Sequence, residues 1–270
     1  MTWRPSSIIF SRPMAEPMQS LRIPIFYLLL SLSTVIWCLI SLVVAVFLPF
    51  RARYRFVVQT WCRCAVWLAW HILGIRYELH GVESIPQRPC VILAKHQSTW
   101  ETFFLSAYFE PLSQVLKREL LRVPFFGWAI ALLKPIAIDR GNPKAALKQL
   151  AEQGHKRLEQ GAWVLIFPEG TRVPVGQIGK FSRGGAALAA NAGLPVLPVA
   201  HDAGLYWPKE GWGKTPGTVR VVFGPPLQAE GEGPRAIADL NERAFAWVAQ
   251  TQRQLGVLAD EPVVDGPAKV

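Results

Sequence analysis

Cysteine is scarce in this chain of 270 residues: there are four, Cys38, Cys62, Cys64 and Cys90. None has metal-ligand spacing, and Cys62 and Cys64 would point to different sides of a helix. That argues against a zinc site or a mutual bridge and reads as reduced, apolar filler, which favours a cytosolic active domain. Acidic residues are also few, 19 against 29 Lys and Arg, giving a formal charge of +10. Yet charged residues make up only 18% of the chain, while 51% are hydrophobic and 11 are Trp. So apolar a chain is a poor fit to a basic nucleic-acid binder, and the surplus suits a membrane surface or an anionic substrate instead. No internal repeat is present, and the length allows one large domain or one domain with an appendage.

The clearest absence is local. From Ile23 to Phe50 there is no charged side chain at all, a run of 28 residues bounded by Arg22 and Arg51. As a helix rising ~1.5 Å per residue it exceeds the ~30 Å hydrocarbon thickness, so a spanning or deeply embedded helix is expected. A secretory signal fits less well, because the run is longer than an ordinary signal core and no small-x-small cleavage site follows. A second apolar stretch, Phe56 to Ile75, carries only Arg63 and His71 as chargeable groups. Its polar positions Gln59, Arg63, Trp67 and Trp70/His71 recur at helical spacing, as in a helix lying at the interface with Arg63 snorkelling; a second span is the alternative. Arginines flank the first helix on both sides (4, 12 and 22; 51, 53 and 55), which a helical hairpin dipping into one leaflet would explain.

Beyond Gly74 the pattern becomes short β-type runs alternating with helical segments. Candidate strands are Arg76 to His80, Cys90 to Ala94, Ser113 to Leu116, Pro135 to Ile138, Trp163 to Phe167, Pro195 to Ala200 and Thr218 to Phe223. Asn142-Pro143 opens a helix with Leu147, Leu150 and Leu158 on one face, and Gly161 ends it. The expected fold is an α/β sandwich with a mostly parallel mixed sheet of about seven strands, preceded by the membrane-anchoring hairpin. The expected divisions are a flexible segment 1–22, anchoring helices 23–75, the main domain 76–255 and a flexible tail 256–270. Residues 201–217 form a Gly/Pro/Trp-rich loop in which Trp207 and Trp212 touch either the bilayer, an apolar ligand or ordinary packing partners.

In parallel sheets, working residues gather past the carboxyl ends of strands. His96, one of only five histidines, stands there in Ala94-Lys-His-Gln-Ser-Thr-Trp-Glu-Thr102. On a continuous helix His96 and Glu101 would not share a face. If the helix starts near Ser98, the Glu101 carboxylate reaches back, fixes the ring tautomer and stabilises the imidazolium formed when His96 takes a proton. Ser98-x-x-Glu101 also reads as a capping box in which Glu101 serves only the backbone, and both readings stand. The segment Phe167-Pro-Glu-Gly-Thr-Arg172 has the composition of an anion site: Gly170 for a tight turn with exposed N–H groups, the Thr171 hydroxyl, and the Arg172 fork. A surface turn with a solvated Arg is its plain alternative.

Taken together, His96-x-x-x-x-Glu101, Lys117-Arg-Glu-Leu with Pro124-Phe-Phe-Gly127 and Ile138-Asp-Arg140, Phe167-Pro-Glu-Gly-Thr-Arg172, and Gly193-Leu-Pro-Val-Leu-Pro198 resemble the four ordered blocks of the glycerolipid acyltransferase family. Two positions depart from it: the acid is usually Asp where this chain has Glu101, and the residue before the histidine is often Asn where this chain has Lys95. The resemblance implies transfer of an acyl group from a thioester, acyl-CoA or acyl carrier protein, to the sn-2 hydroxyl of lysophosphatidate, giving phosphatidate, with no metal or other cofactor. It assigns His96 as general base, Glu101 as its acid, and Lys117, Arg140, Glu169, Gly170, Thr171 and Arg172 to substrate binding. It further implies membrane phospholipids as partners, no nucleic acid, and an active domain on the cytoplasmic side of an inner or cytoplasmic membrane. Alternatives are a sister enzyme using another lysophospholipid or glycerol 3-phosphate, a non-catalytic lipid-binding adaptor, and a hydrolase with Ser98 as nucleophile.

Overall fold

The structure, a computed structural model, describes residues 16–259 apart from 134 and 140. Helix α1 (Glu16–Val44) carries most of the uncharged run, and the segment Leu21–Phe47, which continues α1 through a 3-10 turn (Ala45–Phe47), is the one helix among the described residues long and apolar enough to cross a membrane. The chain then reverses through α2 (Phe50–Tyr54), a π turn (Arg55–Gln59) and α3 (Thr60–Leu73), which packs back on α1. The π turn frees carbonyls, and the Trp37 indole N–H of α1 donates to two of them, Phe56 and Val57, at 3.2 Å each. Arg53 fastens the reversal by donating to the carbonyls of Leu48 (2.9 Å) and Leu132 (3.0 Å).

On α3, Arg63, Trp67 and Trp70 face outward while Cys62, Ala65, Leu68 and Ala69 are buried against the protein, and Cys64 is exposed. Gln59 departs from the expected polar stripe. It is buried and its amide donates to the Ala107 carbonyl at 3.1 Å, because α4 (Trp100–Tyr108) covers that side of the chain. The four cysteines are free thiols.

The α/β part is built on β1 (Ile75–His80), β2 (Val91–Ala94), β3 (Leu112–Lys117), β4 (Ile136–Ile138), β5 (Trp163–Ile166), β6 (Val196–His201) and β7 (Gly217–Phe223). They form one sheet in the order β1-β7-β6-β2-β5-β3-β4. The block β6-β2-β5-β3-β4 is parallel, and the parallel pair β1-β7 joins it antiparallel through β6. Each expected strand is present within a residue or so of its expected ends.

The central strands are buried on both faces, as parallel sheets require. Ile92, Leu165 and Leu197 face α3, α1 and α4 (Trp100–Tyr108). Val91, Leu93, Val164, Ile166 and Val196 face α6 (Pro143–Glu159), α7 (Gly184–Asn191) and α9 (Gly233–Gln254). The Asn142 side chain accepts from Ala145 N, capping α6. Leu150 and Leu158 are buried, but Leu147, expected on the same face, is 55% exposed. The tail is held further than expected: Val257 is buried, and its carbonyl accepts from Gly176 N at 2.8 Å.

Loop 202–216, which contains the short helix α8 (Ala203–Tyr206), resolves the two tryptophans differently. Trp207 is buried edge-on against Phe26 of α1 (5.2 Å between ring centroids), whereas Trp212 is 75% exposed and meets Tyr27 at its edge. The buried Lys214 ammonium lies over the Tyr27 and Trp207 rings at 5.7 and 5.5 Å, so this loop ties α1 to the sheet domain.

Candidate active site

Four chain segments meet at the carboxyl edge of the parallel block: the loop after β2 with His96, the loop after β5 with Glu169 to Arg172, the end of β6 with His201, and the first turn of α4 with Glu101. The helix begins at Trp100, so Glu101 occupies its second position, and the carboxylate folds back over the loop that precedes it. One oxygen, Oε1, collects three donors: His96 Nδ1 at 2.9 Å, Gln97 N at 2.9 Å and Ser98 N at 2.8 Å. Ser98 Oγ accepts from Trp100 N at 3.0 Å. The same carboxylate oxygen thus accepts from the ring and from two N–H groups of the loop before the helix; the capping box is only half formed, because Ser98 Oγ accepts from Trp100 N and not from Glu101 N.

The His96 ring keeps 17% of its surface open, against 1% for Glu101. Phe167 stacks on the ring at 3.9 Å between centroids and 15° between planes. With Nδ1 committed to Glu101, Nε2 is the nitrogen left to receive a proton. Burial lifts the Glu101 carboxyl, but the His201 and His96 rings and the Ser98 N–H oppose it, and the balance lies below the ordinary glutamate range.

The loop after β5 folds into contact with the His96 loop. Val173 N donates to His96 O at 2.8 Å, and the Arg172 guanidinium donates to Thr99 Oγ1 at 2.9 Å, which holds it on the same edge as the ring. Gly170 takes φ of 72° with open space around it; its N–H closes the turn onto Phe167 O (3.0 Å), and Thr171 is exposed. Glu169 points inward. Its carboxylate binds the Lys95 ammonium at 2.7 and 3.0 Å and accepts from His96 N (2.9 Å) and Gly179 N (2.8 Å), so it joins the two loops and its side chain has no exposed surface.

Lys117, at the end of β3, is half exposed beside Glu119 and lies two strands from β2, about 10 Å at ~4.8 Å per strand. Arg140 lies outside the described residues. Asp139 accepts from Gly141 N at 2.9 Å, a local turn. Ser98 is fully buried, which removes it as a lipid-attacking nucleophile. Among the described residues no group of His, Cys, Asp and Glu could hold a metal ion.

Sequence reasoning passed over His201, Thr99 and Gln252, and marked Lys95 only as a departure from the family pattern. His201 obeys the rule that singled out His96, since it too ends a parallel strand. Thr99 and Gln252 gave no signal of their own. A mainly apolar cavity of about 130 Å³ opens one turn beyond Glu101, between α1, the π turn, α4, β3 and α5 (Phe126–Ala131). Thr34, Cys38, Tyr54, Thr102, Phe103 and Leu133 contribute to its wall.

Residues 76–202 match a family described as Acyltransferase. The chain is 70% identical over 237 residues, 88% of its length and 92% of the relative's, to a 1-acyl-sn-glycerol-3-phosphate acyltransferase of Pseudomonas aeruginosa. It is 32% identical over 168 residues, 61% of its length and 59% of the relative's, to the mouse 1-acyl-sn-glycerol-3-phosphate acyltransferase alpha. Its fold resembles the crystal structure of the 1-acyl-sn-glycerophosphate acyltransferase from Thermotoga maritima with a TM-score of 0.73, at 23% identity, covering 92% of this chain and all of that one.

Proposed function

This chain belongs to the family of 1-acyl-sn-glycerol-3-phosphate acyltransferases, and on that premise we propose how its residues transfer an acyl group from a thioester to the sn-2 hydroxyl of lysophosphatidate, giving phosphatidate. His96 Nε2 takes the hydroxyl proton as the oxygen attacks the thioester carbonyl. The thiolate leaves and recovers the proton, so no covalent enzyme intermediate is needed. Glu101 holds the imidazole in the tautomer with Nε2 free and balances its charge once protonated. The Arg172 fork takes the acceptor phosphate, with Lys117 at the rim, and Thr171 and the Gly170 turn shape that side. The apolar cavity beyond Thr102 and Phe103 receives an acyl tail. Acyl-CoA or acyl carrier protein is the donor class, and the basic surplus attracts both it and the anionic headgroups. The apolar helix keeps the site at the lipid surface, with the α/β domain on the cytoplasmic side.

The observation that supports this reading most directly is the His96–Glu101 pair beside the Arg172 guanidinium. His96→Ala tests it: purified protein given lysophosphatidate and labelled acyl donor should lose activity about 10³-fold, within the range expected for general base catalysis, with folding and lipid binding intact. A variant that kept wild-type turnover would sink the assignment. Lipid binding by a wild-type protein that transfers no acyl group would favour an adaptor.

A further inference from the structure

His201 is one of two histidines at this edge, and the reaction as described does not use it. It is 1% exposed and too deep to meet substrate. Its Nδ1 accepts from Ala203 N at 3.2 Å, so the proton sits on Nε2, which donates to the Lys95 carbonyl at 2.8 Å. That carbonyl belongs to the peptide linking Lys95 to His96. The N–H of the same peptide donates to Glu169 at 2.9 Å. One peptide plane is thus gripped at both ends, by β6 through His201 and by the loop after β5 through Glu169. Lys95 N adds a ladder bond to Val199 O at 3.0 Å.

The grip on this loop extends to the far side of the domain. Gln252 of α9, also 1% exposed, donates to His201 O at 2.7 Å and accepts from the Gln97 amide at 2.9 Å. The loop carrying the base is therefore held on either side of His96, at Lys95 by His201 and at Gln97 by Gln252. A buried histidine needs partners somewhere; here Nε2 meets the carbonyl directly before the base at 2.8 Å and stands 4.0 Å from Glu101 Oε1.

We propose that His201 is a positioning residue for His96: through the Lys95 carbonyl it fixes where the base ring stands against Glu101 and the incoming hydroxyl. The proposal rests on the acyl-transfer reading above. Reacting groups misplaced by about 1 Å cost on the order of 10²-fold in rate, while ground-state binding by Arg172 and the apolar cavity is left alone.

The test compares wild type, His201→Met and His201→Gln, measuring kcat, acceptor KM and melting temperature of the full chain in detergent. Met removes the donor; Gln keeps one at altered reach. His201→Met should lower kcat about 10- to 100-fold, with KM within about threefold of wild type and the melt close to it, and His201→Gln should recover only part of that loss, leaving kcat severalfold below wild type. Wild-type kcat in His201→Met, or an equal loss in a folded His201→Gln, overturns the proposal. If His201→Met does not fold, His201→Gln decides. A severalfold fall in kcat at constant KM and melt supports positioning. Unchanged kcat, or a loss that tracks the melt, refutes it. Failure of both to fold would make His201 a structural residue and overturn the assignment. A wild-type protein that acylates nothing would count against the reaction itself, a separate result.

Discussion

Removing the Lys95 ammonium should be the most damaging single charge change in the α/β domain. Lys95 and Glu169 have no exposed side-chain surface and meet at 2.7 Å. Burial pulls the lysine below its ordinary range even though Glu169 pulls the other way, a sign that the pair depends on itself and not on solvent. Lys95→Met leaves a buried carboxylate with two amide donors, His96 N and Gly179 N, and no counter-charge. Stranding one partner of a buried pair costs about 3–5 kcal/mol. For a domain of this size each kcal/mol moves the melting temperature by about 2–4 °C, so a drop of roughly 6–20 °C is expected. The double variant Lys95→Met/Glu169→Gln removes both charges and keeps an acceptor for one of the two amides, and should regain more than half of the loss. Thermal melts of the four proteins in detergent close the cycle, which isolates the pair's coupling. A Lys95→Met protein within about 1 kcal/mol of wild type, or two losses that simply add, would refute the account of this pair, since the stranded-charge cost would be missing.

Glu101→Gln should lower kcat by about 10³-fold or more with a modest change in KM, because the amide cannot balance an imidazolium; a steady-state comparison checks this. The lowered carboxyl also ties stability to pH: Glu101 contributes stability above the unfolded glutamate pKa, and that contribution is lost as pH falls through the folded value. The stability gap between wild type and Glu101→Gln should therefore be full at neutral pH and close on acidification, as melts across that range will read out. Arg172→Lys keeps the charge but loses the planar fork, so acceptor KM should rise about tenfold with kcat near wild type. A fall in kcat alone would move Arg172 out of phosphate binding. Thr34→Phe pushes a ring into the apolar cavity and should shift product profiles toward shorter acyl chains, visible by mass spectrometry of the phosphatidate formed.

The strands were legible because each central one is a short unbroken apolar run, and a sheet covered on both faces needs that pattern. Their spatial order was not. Nothing in the runs themselves says that β6 and β7 reverse direction, because the reversal is made by loop 202–216, whose shape depends on Trp207 packing against Phe26 far away in sequence. The same distance hid Gln59, polar by type and buried because Ala107 of α4 offers it a carbonyl. At the site, His96 and Glu101 could be read because five residues of local chain bring them together. Lys95 and Glu169 stand 74 positions apart and Gln97 and Gln252 stand 155 apart, so their pairing exists only in the folded sheet.

Where the helix starts sets what the Glu101 carboxylate can reach. The carboxylate has to bond Ser98 N, Gln97 N and His96 Nδ1 through one oxygen, each between 2.8 and 2.9 Å. From the second position of α4 that oxygen reaches backward across the helix start. The position also favours a charged carboxylate, since the helix amino end carries partial positive charge. The proposed partner of His96 and the acceptor for the loop N–H groups before α4 are thus one carboxylate. Any change that frays the first turn of α4 should loosen the His96 ring in the same measure. Loss of the Ser98 hydroxyl, a bond of 3.0 Å to Trp100 N, is the mild form of that change. Ser98→Ala should cost about 1 kcal/mol of stability and lower kcat only severalfold, where a true nucleophile would take all activity with it.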